Sequence, residues 1–267
     1  SNCINYTMYD YLGFNFDEDV HNSVKNIIDL YGTSAGASRL AGGQIPIHED
    51  LEQEIASLYG VESCIVYLGG HTTNVNGLKA LCDKSDLILC DELSHSSILE
   101  GAMYSGAEKR AFPHNNTVEL EKMLSRMNNK SSYGKILIIV EGTYSMDGDI
   151  PDLPELIRIK NKFNCILMVD EAHSIGVLGK TGRGISEHFG IDPNSVEMWM
   201  GSLGKAFASA GGYIAGSKEL VQILKWKSPG FIYSIGIPPP AAATALYSIR
   251  KFKKEPERVA KLRDNIR

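Results

Sequence analysis

Lys205 closes the segment Gly201-Ser202-Leu203-Gly204-Lys205, directly after the apolar run Met198-Trp199-Met200. An ammonium group there is costly unless it is paired or loses its proton, because desolvation disfavours the charged form. Small neighbours leave room for a bulky group against the amine, which suits Schiff-base formation with a carbonyl. Taken alone, a strand end, a glycine turn and a solvent-reaching lysine explain the segment more simply. Asp170 ends the run Ile166-Leu167-Met168-Val169 and opens Asp170-Glu171-Ala172-His173. An ionised Asp at that point can keep a heteroaromatic nitrogen protonated. Ala172 is small enough to pack on a flat ring, and His173 is placed to donate to an oxygen on it. The competing reading is a turn cap with His173 at the surface. A metal pair of Asp170 and His173 lacks a third ligand at a suggestive spacing, and no metal is expected.

Gly69-Gly70-His71-Thr72-Thr73-Asn74 falls between a strand-like run and a helix-like one. Free backbone N–H groups at a helix start bind phosphate, and glycine lets the anion approach. The Gly-Lys-Ser/Thr ending of a Walker loop is absent, and a plain strand–turn–helix accounts for the same residues. His95, in Leu93-Ser94-His95-Ser96, can stack on a ring or move a proton, and can equally cap a helix. Ser145 follows the run that ends at Val140, and its hydroxyl can reach a ring oxygen. Asp147 and Asp149 nearby fit local turn bonding. Together these segments supply an amine for an aldehyde, an acid for a pyridine nitrogen, a stacking face and a phosphate cradle. That set fits pyridoxal 5'-phosphate.

The elements that must position these residues alternate along the chain. Strand-like runs at Cys64–Tyr67, Leu87–Cys90, Ile136–Val140 and Cys165–Val169 are continuous in apolar character. Helical spacing marks Asn74–Leu81, Ser96–Ser105, Thr117–Met127 and Leu153–Phe163 between and after them. Continuous apolar strands imply burial on both faces, hence an α/β fold with a mainly parallel sheet flanked by helices. Ligands of such sheets bind at the carboxyl ends of the strands, where the residues above cluster. Before the first strand, Asp17–Leu30 and His48–Tyr59 read as amphipathic helices. The Gly/Ser-rich stretch from Gly32 to Pro46 between them is too long and polar for a mere connector. Trp199 and Ile214 are expected on strands flanking Lys205.

Composition narrows the function classes. The 267 residues carry a net charge of −5 with mixed signs, so no basic stripe argues for nucleic acid. Lys251, Lys253 and Lys254 read as a solvated helix face. The five cysteines are odd in number and scattered without a C-x-x-C pair, which points to a reducing cytoplasm rather than a disulfide framework or zinc. No apolar run reaches the length of a membrane span. The helical, charged segment running to Arg267 suggests a fragment.

Read in order, Tyr9-Asp10-Tyr11-Leu12-Gly13-Phe14, Ser38-Arg39-Leu40, His48 to Glu52, Asp170 to Gly176, Gly182-Arg183-Gly184, Lys205 and Ile232-Tyr233-Ser234 with Pro238-Pro239 form a specific string. Over nearly the whole chain it resembles the α-oxoamine synthases of the fold-type-I pyridoxal-phosphate superfamily. These include 8-amino-7-oxononanoate synthase, serine palmitoyltransferase, glycine C-acetyltransferase and 5-aminolevulinate synthase. The Gly-His-Thr-Thr-Asn and Ser-Met-Asp-Gly-Asp-Ile-Pro-Asp-Leu-Pro wording is similar to a branch of polyketide or prodigiosin-type pathways, in which an acyl carrier protein can carry the donor. The resemblance implies that Lys205 binds the cofactor aldehyde and shuttles the Cα proton. Asp170 would pair with the pyridine nitrogen, His95 would stack on the ring, and His173 and Ser145 would address the ring hydroxyl. Ser202 and the Gly70–His71 backbone would hold phosphate. The implied reaction is decarboxylative condensation of an amino acid with an acyl thioester, on coenzyme A or a carrier protein, in a cytoplasmic homodimer. An aminotransferase, an aldolase-type lyase or a non-catalytic partner subunit are the alternatives. The implied division is a substrate-lining segment at 1–47, a cofactor-binding domain at 48–240, and at 241–267 the start of a helix leading to a small C-terminal domain absent here. Three departures stand out: Tyr9 where several members have Asn, His71 for an aromatic Tyr or Phe, and Ile235-Gly236 where hydroxyl residues are common.

Overall fold

In a computed structural model, residues 5, 7–127 and 133–266 are described. The chain opens with helices α1 (Glu18–Tyr31) and α2 (Pro46–Tyr59), followed by β1 (Ser63–Tyr67) and α3 (Gly70–Leu81). Next come β2 (Leu87–Asp91), α4 (Ser96–Ser105), β3 (Glu108–Phe112) and α5 (Thr117–Met127). The middle continues through β4 (Ile136–Glu141), α6 (Leu153–Phe163), β5 (Ile166–Asp170) and the short α7 (Ile185–Phe189). Strands β6 (Met198–Ser202) and β7 (Gly212–Gly216) precede α8 (Lys218–Lys227), α9 (Pro229–Ile232), α10 (Pro239–Phe252) and α11 (Glu257–Ile266).

The seven strands form one sheet in the order β1-β7-β6-β5-β4-β2-β3. Only β7 runs against its neighbours, β1 and β6; the other pairings are parallel. The carboxyl ends Tyr67, Asp91, Glu141, Asp170 and Ser202 therefore share one edge of the sheet. Alternation within the strands divides the core into two layers. Val66, Leu89, Ile138, Leu167 and Trp199 pack toward α1, α2, α5, α6 and α10. Ile65, Ile88, Ile139, Met168 and Met200 pack toward α3, α4, α8 and α9. Burial on both faces is why these strands read as unbroken apolar runs.

Strand β3 has no such run. Glu108 to Ala111 are exposed at the sheet edge and only Phe112 is buried, so charged residues guard an edge that apolar pattern cannot reveal. The stretch after α1 is fixed by side chains. Arg39 forms a buried ion pair with Glu52 of α2, and Glu52 also accepts the Val66 N–H at 3.0 Å. A bridge between Ser38 and Ile235 ties the same stretch to the segment before α10.

Lys253 and Lys254 are exposed, as a solvated face requires, while Lys251 is half-buried and ion-paired. Lys251 Nζ lies 2.9 Å from Asp17, the N-cap of α1, and Lys253 Nζ lies 2.7 Å from Glu54 of α2. These acids sit about two hundred positions earlier in the chain, beyond the reach of local charge patterning. Cys64, Cys82, Cys90 and Cys165 are buried free thiols, their pKa values raised by burial. Cys3 and Arg267 lie outside the described residues. No described helix is long and apolar enough to cross a membrane.

Candidate active site

At the carboxyl edge of β4, β5 and β6 lies a cavity of about 180 Å³, lined by Gly70, His71, Asn74, His95, Ser97, Glu141, Asp170, Ala172, His173, Met200, Ser202 and Lys205. A larger hollow of about 710 Å³ lies at the opposite edge, against the first residues of β4, β5 and β6. It holds none of the residues singled out for chemistry. The smaller cavity collects eight of the nine sequence-derived positions; Ser145 is the exception. Ser145 is exposed in a turn closed by the Gly148 N–H on the Tyr144 carbonyl at 2.8 Å, which turns Tyr144 inward and leaves the serine outside.

Lys205 follows β6 in the turn toward β7, and its Nζ lies 2.7 Å from His173 Nε2. No carboxylate stands within ion-pair distance of the amine among the described residues. Burial lowers the Lys205 pKa, and the more distant charges of Asp170 and Glu141 only partly offset this. Lys205 is half-buried, and its amine turns to His173. His173 titrates near 4, held down first by burial and then by Lys205 and His95, so the ring is neutral near pH 7.

Asp170 ends β5 at 5% exposure. Its carboxylate accepts the Ala172 N–H at 3.0 Å, the local turn cap, and the Asn74 amide at 2.9 Å. Neither donor is a cation, so a buried acid keeps room for a positively charged partner. Asn74 stands one helical turn beyond Gly70 and thus on the same face of α3. Its Nδ2 also reaches Ser97 Oγ at 2.9 Å, while its Oδ1 is buried without a partner. Across the parallel β4–β5 ladder, Glu141 is the register partner of Asp170. Burial and then the Asp170 charge push the Glu141 carboxyl up to about 8. Glu141 Oε1 accepts the His95 N–H at 2.6 Å.

His95 is the N-cap of α4, and its Nδ1 accepts the Ser97 N–H at 3.2 Å. The Ser97 hydroxyl lies 2.7 Å from the same nitrogen and must donate to it. With Nδ1 committed as an acceptor, the neutral ring carries its proton on Nε2. The cap reading is realised, and the His95 side chain also lines the cavity. Beside it, His71 stands edge-on at 6.5 Å between ring centroids and 3.4 Å from Glu100 of α4.

Helix α3 starts at Gly70 with no side-chain cap, so the first-turn N–H groups are open toward Ser202. A Cβ on Gly70 would stand 3.2 Å from Ser202 Oγ, which shows how closely this helix start approaches the end of β6. Asn74, Ser97, Glu141 and Tyr11 were not among the sequence-derived candidates. Glu141 carried a usable signal, an acid ending a buried strand as Asp170 does. Asn74 and Ser97 required the packing of α3 on α4.

A model of the aminotransferase class I and II family matches residues 1–267, and the chain belongs to that family. It is 41% identical over 255 residues to serine palmitoyltransferase 3 of Homo sapiens, covering 92% of this chain and 46% of that one. It is likewise 41% identical over 263 residues to a putative 8-amino-7-oxononanoate synthase of Gloeothece citriformis, covering 98% of this chain and 68% of the relative. A solved structure of SPT with a PLP internal aldimine superposes with a TM-score of 0.91 at 31% identity, over 97% of this chain and 64% of that one. The chain thus spans less than two thirds of the human relative and of the solved chain. The mostly parallel sheet and the resemblance to synthases of this kind agree with these matches.

Proposed function

We propose that the chain is the cofactor-binding part of a pyridoxal-phosphate-dependent acyltransferase, which condenses an amino acid with an acyl thioester and releases carbon dioxide, a free thiol and an α-amino ketone. One observation carries this reading: an amine without a carboxylate partner and a buried acid without a cation face the same small cavity at an open helix start. The names of the relatives support the same reaction class.

Pyridoxal phosphate fits the donor set. Lys205 Nζ would hold its aldehyde carbon, Asp170 its ring nitrogen and His173 Nε2 its ring oxygen. The Gly70–His71 backbone with Ser202 would hold the phosphate. Ala172 and His95 would flank the ring faces. Bound there, the group supplies an electron sink for a carbanion at the amino-acid Cα. Lys205, its proton affinity lowered by burial, takes and returns a proton at that carbon. Asp170, oriented by Asn74 and the Ala172 N–H, keeps a positive charge next to it. His95 Nε2–H offers a donor at the cavity mouth. We assign Ser145 no contact within this chain.

We carry the division 1–47, 48–240 and 241–267 into function. The first segment brings Tyr11 to His173, the second holds the groups named above, and the third ties α10 and α11 to the first. We further propose a cytoplasmic homodimer serving biosynthesis, with coenzyme A or an acyl carrier protein as donor. Exposed Leu68, Leu93 and Met146 follow β1, β2 and β4 on the carboxyl edge of the sheet and support a covered surface there.

Products test the reaction. Full-length protein loaded with cofactor and given an amino acid and an acyl thioester is expected to release carbon dioxide and free thiol in equal amounts. Formation of a keto acid or an aldehyde without thiol release contradicts the proposal.

A further inference from the structure

Tyr11 lies in the segment before α1, far from His173 in sequence, yet its hydroxyl oxygen stands 2.9 Å from His173 Nδ1. The segment is pinned from two sides. Asp10 accepts the Phe14 and Asn15 N–H groups at 2.8 and 3.0 Å, and Arg258 of α11 donates to the Leu12 carbonyl at 3.0 Å. The Tyr11 hydroxyl makes no other hydrogen bond among the described residues. Both ring nitrogens of His173 are therefore engaged, Nδ1 by Tyr11 and Nε2 by Lys205 at 2.7 Å.

Two proton arrangements satisfy these distances. Either Tyr11 donates to a bare Nδ1 and Nε2–H points at the lysine, or Nδ1–H donates to the phenol oxygen and a bare Nε2 faces it. Acid and base strengths separate them. A phenol is a far stronger acid than a neutral imidazole N–H, and a bare imidazole nitrogen is a far stronger base than a phenol oxygen. Burial keeps the Tyr11 hydroxyl protonated and His173 neutral. Nε2–H in turn needs an acceptor, which the Lys205 amine supplies in its uncharged form, the form that burial favours.

We propose that Tyr11 is a positioning residue that fixes His173 as the tautomer protonated on Nε2, so that the imidazole presents a donor to Lys205 and to whatever oxygen replaces it in the cavity. The statement about a ring oxygen rests on the proposed cofactor reading. The tautomer itself does not. In the cofactor-free protein the relay runs Tyr11 O–H to Nδ1 and Nε2–H to Nζ, and no net proton moves. A phenylalanine at position 11 keeps the ring but leaves Nδ1 without a donor. The two tautomers then make equal numbers of hydrogen bonds, and the preference for Nε2–H is lost.

Long-range proton–nitrogen NMR correlations on full-length, cofactor-free protein with ring-labelled histidine read the tautomer directly, with His173→Gln to assign the signals. The expected result is Nε2–H and a bare Nδ1 at His173 in the parent. In Tyr11→Phe, with near-ultraviolet dichroism unchanged, a mixture is expected in which Nδ1–H gains population. An Nδ1–H ring in the parent overturns the proposal, and that reading does not depend on Tyr11→Phe. An unchanged tautomer in a folded Tyr11→Phe also overturns it. A protein that shows the expected tautomers but takes up no pyridoxal phosphate would overturn the proposed cofactor instead, so the two failures are distinguishable.

Discussion

Glu141 and Asp170 end adjacent parallel strands in register, and two buried acids at that spacing cannot both hold a charge cheaply. Glu141 bears the strain, titrating near 8 against an ordinary 4.5. A carboxyl whose folded value is raised binds its proton more tightly in the folded chain. Stability is therefore highest below about pH 4.5 for this group and declines as pH rises toward about 8. In Glu141→Gln the amide oxygen can still accept the His95 N–H, but the titration is gone. Urea unfolding of the cofactor-free protein is expected to show the variant gaining a few kcal/mol on the parent between pH 5 and pH 8. Parallel profiles would contradict the assignment. Lys205, Asp170 and His173 were legible because their types are costly at buried strand ends. Tyr11, Asn74 and Ser97 act through contacts with residues distant in sequence, and an isolated Tyr, Asn or Ser carries no such cost.

At the scale of elements, α3 and α4 aim the site. One supplies Gly70 and Asn74, the other His95 and Ser97, and Gly101 lets them approach. A Cβ at Gly101 would stand 2.8 Å from the Asn74 carbonyl oxygen and 3.1 Å from Val75 Cα, main-chain atoms that cannot turn aside. Gly101→Ala is expected to cost about 1–3 kcal/mol, because overpacking must push the helices apart. Weaker uptake of pyridoxal phosphate should accompany it, since Asn74 and His95 move with their helices. An unchanged melting temperature with unchanged uptake would show that the contact is slack. The buried strands and most helices were legible from apolar pattern. Edge strand β3, with its charged residues, was not, because an edge strand exchanges apolar burial for protection against pairing.

For the whole molecule, the mostly parallel sheet gathers six strand ends on one edge, and the terminal segments brace that edge. Lys251 joins α10 to the start of α1, and Arg258 of α11 binds both the Leu12 carbonyl and Asp17. Through these contacts α10 and α11 hold Tyr11 against His173, an arrangement that no local pattern could announce. The exposed apolar side chains on the carboxyl edge of the sheet lead us to expect a dimer in sedimentation experiments. A monomer with full cofactor occupancy would contradict it. The central claim is that Lys205 is the residue that anchors the cofactor. Borohydride treatment of protein loaded with pyridoxal phosphate, followed by proteolysis and mass spectrometry, tests it most directly. The cofactor's mass should appear on the peptide containing Lys205 and vanish in Lys205→Ala; its appearance on another lysine, or no covalent label in protein that holds the cofactor, would contradict the account.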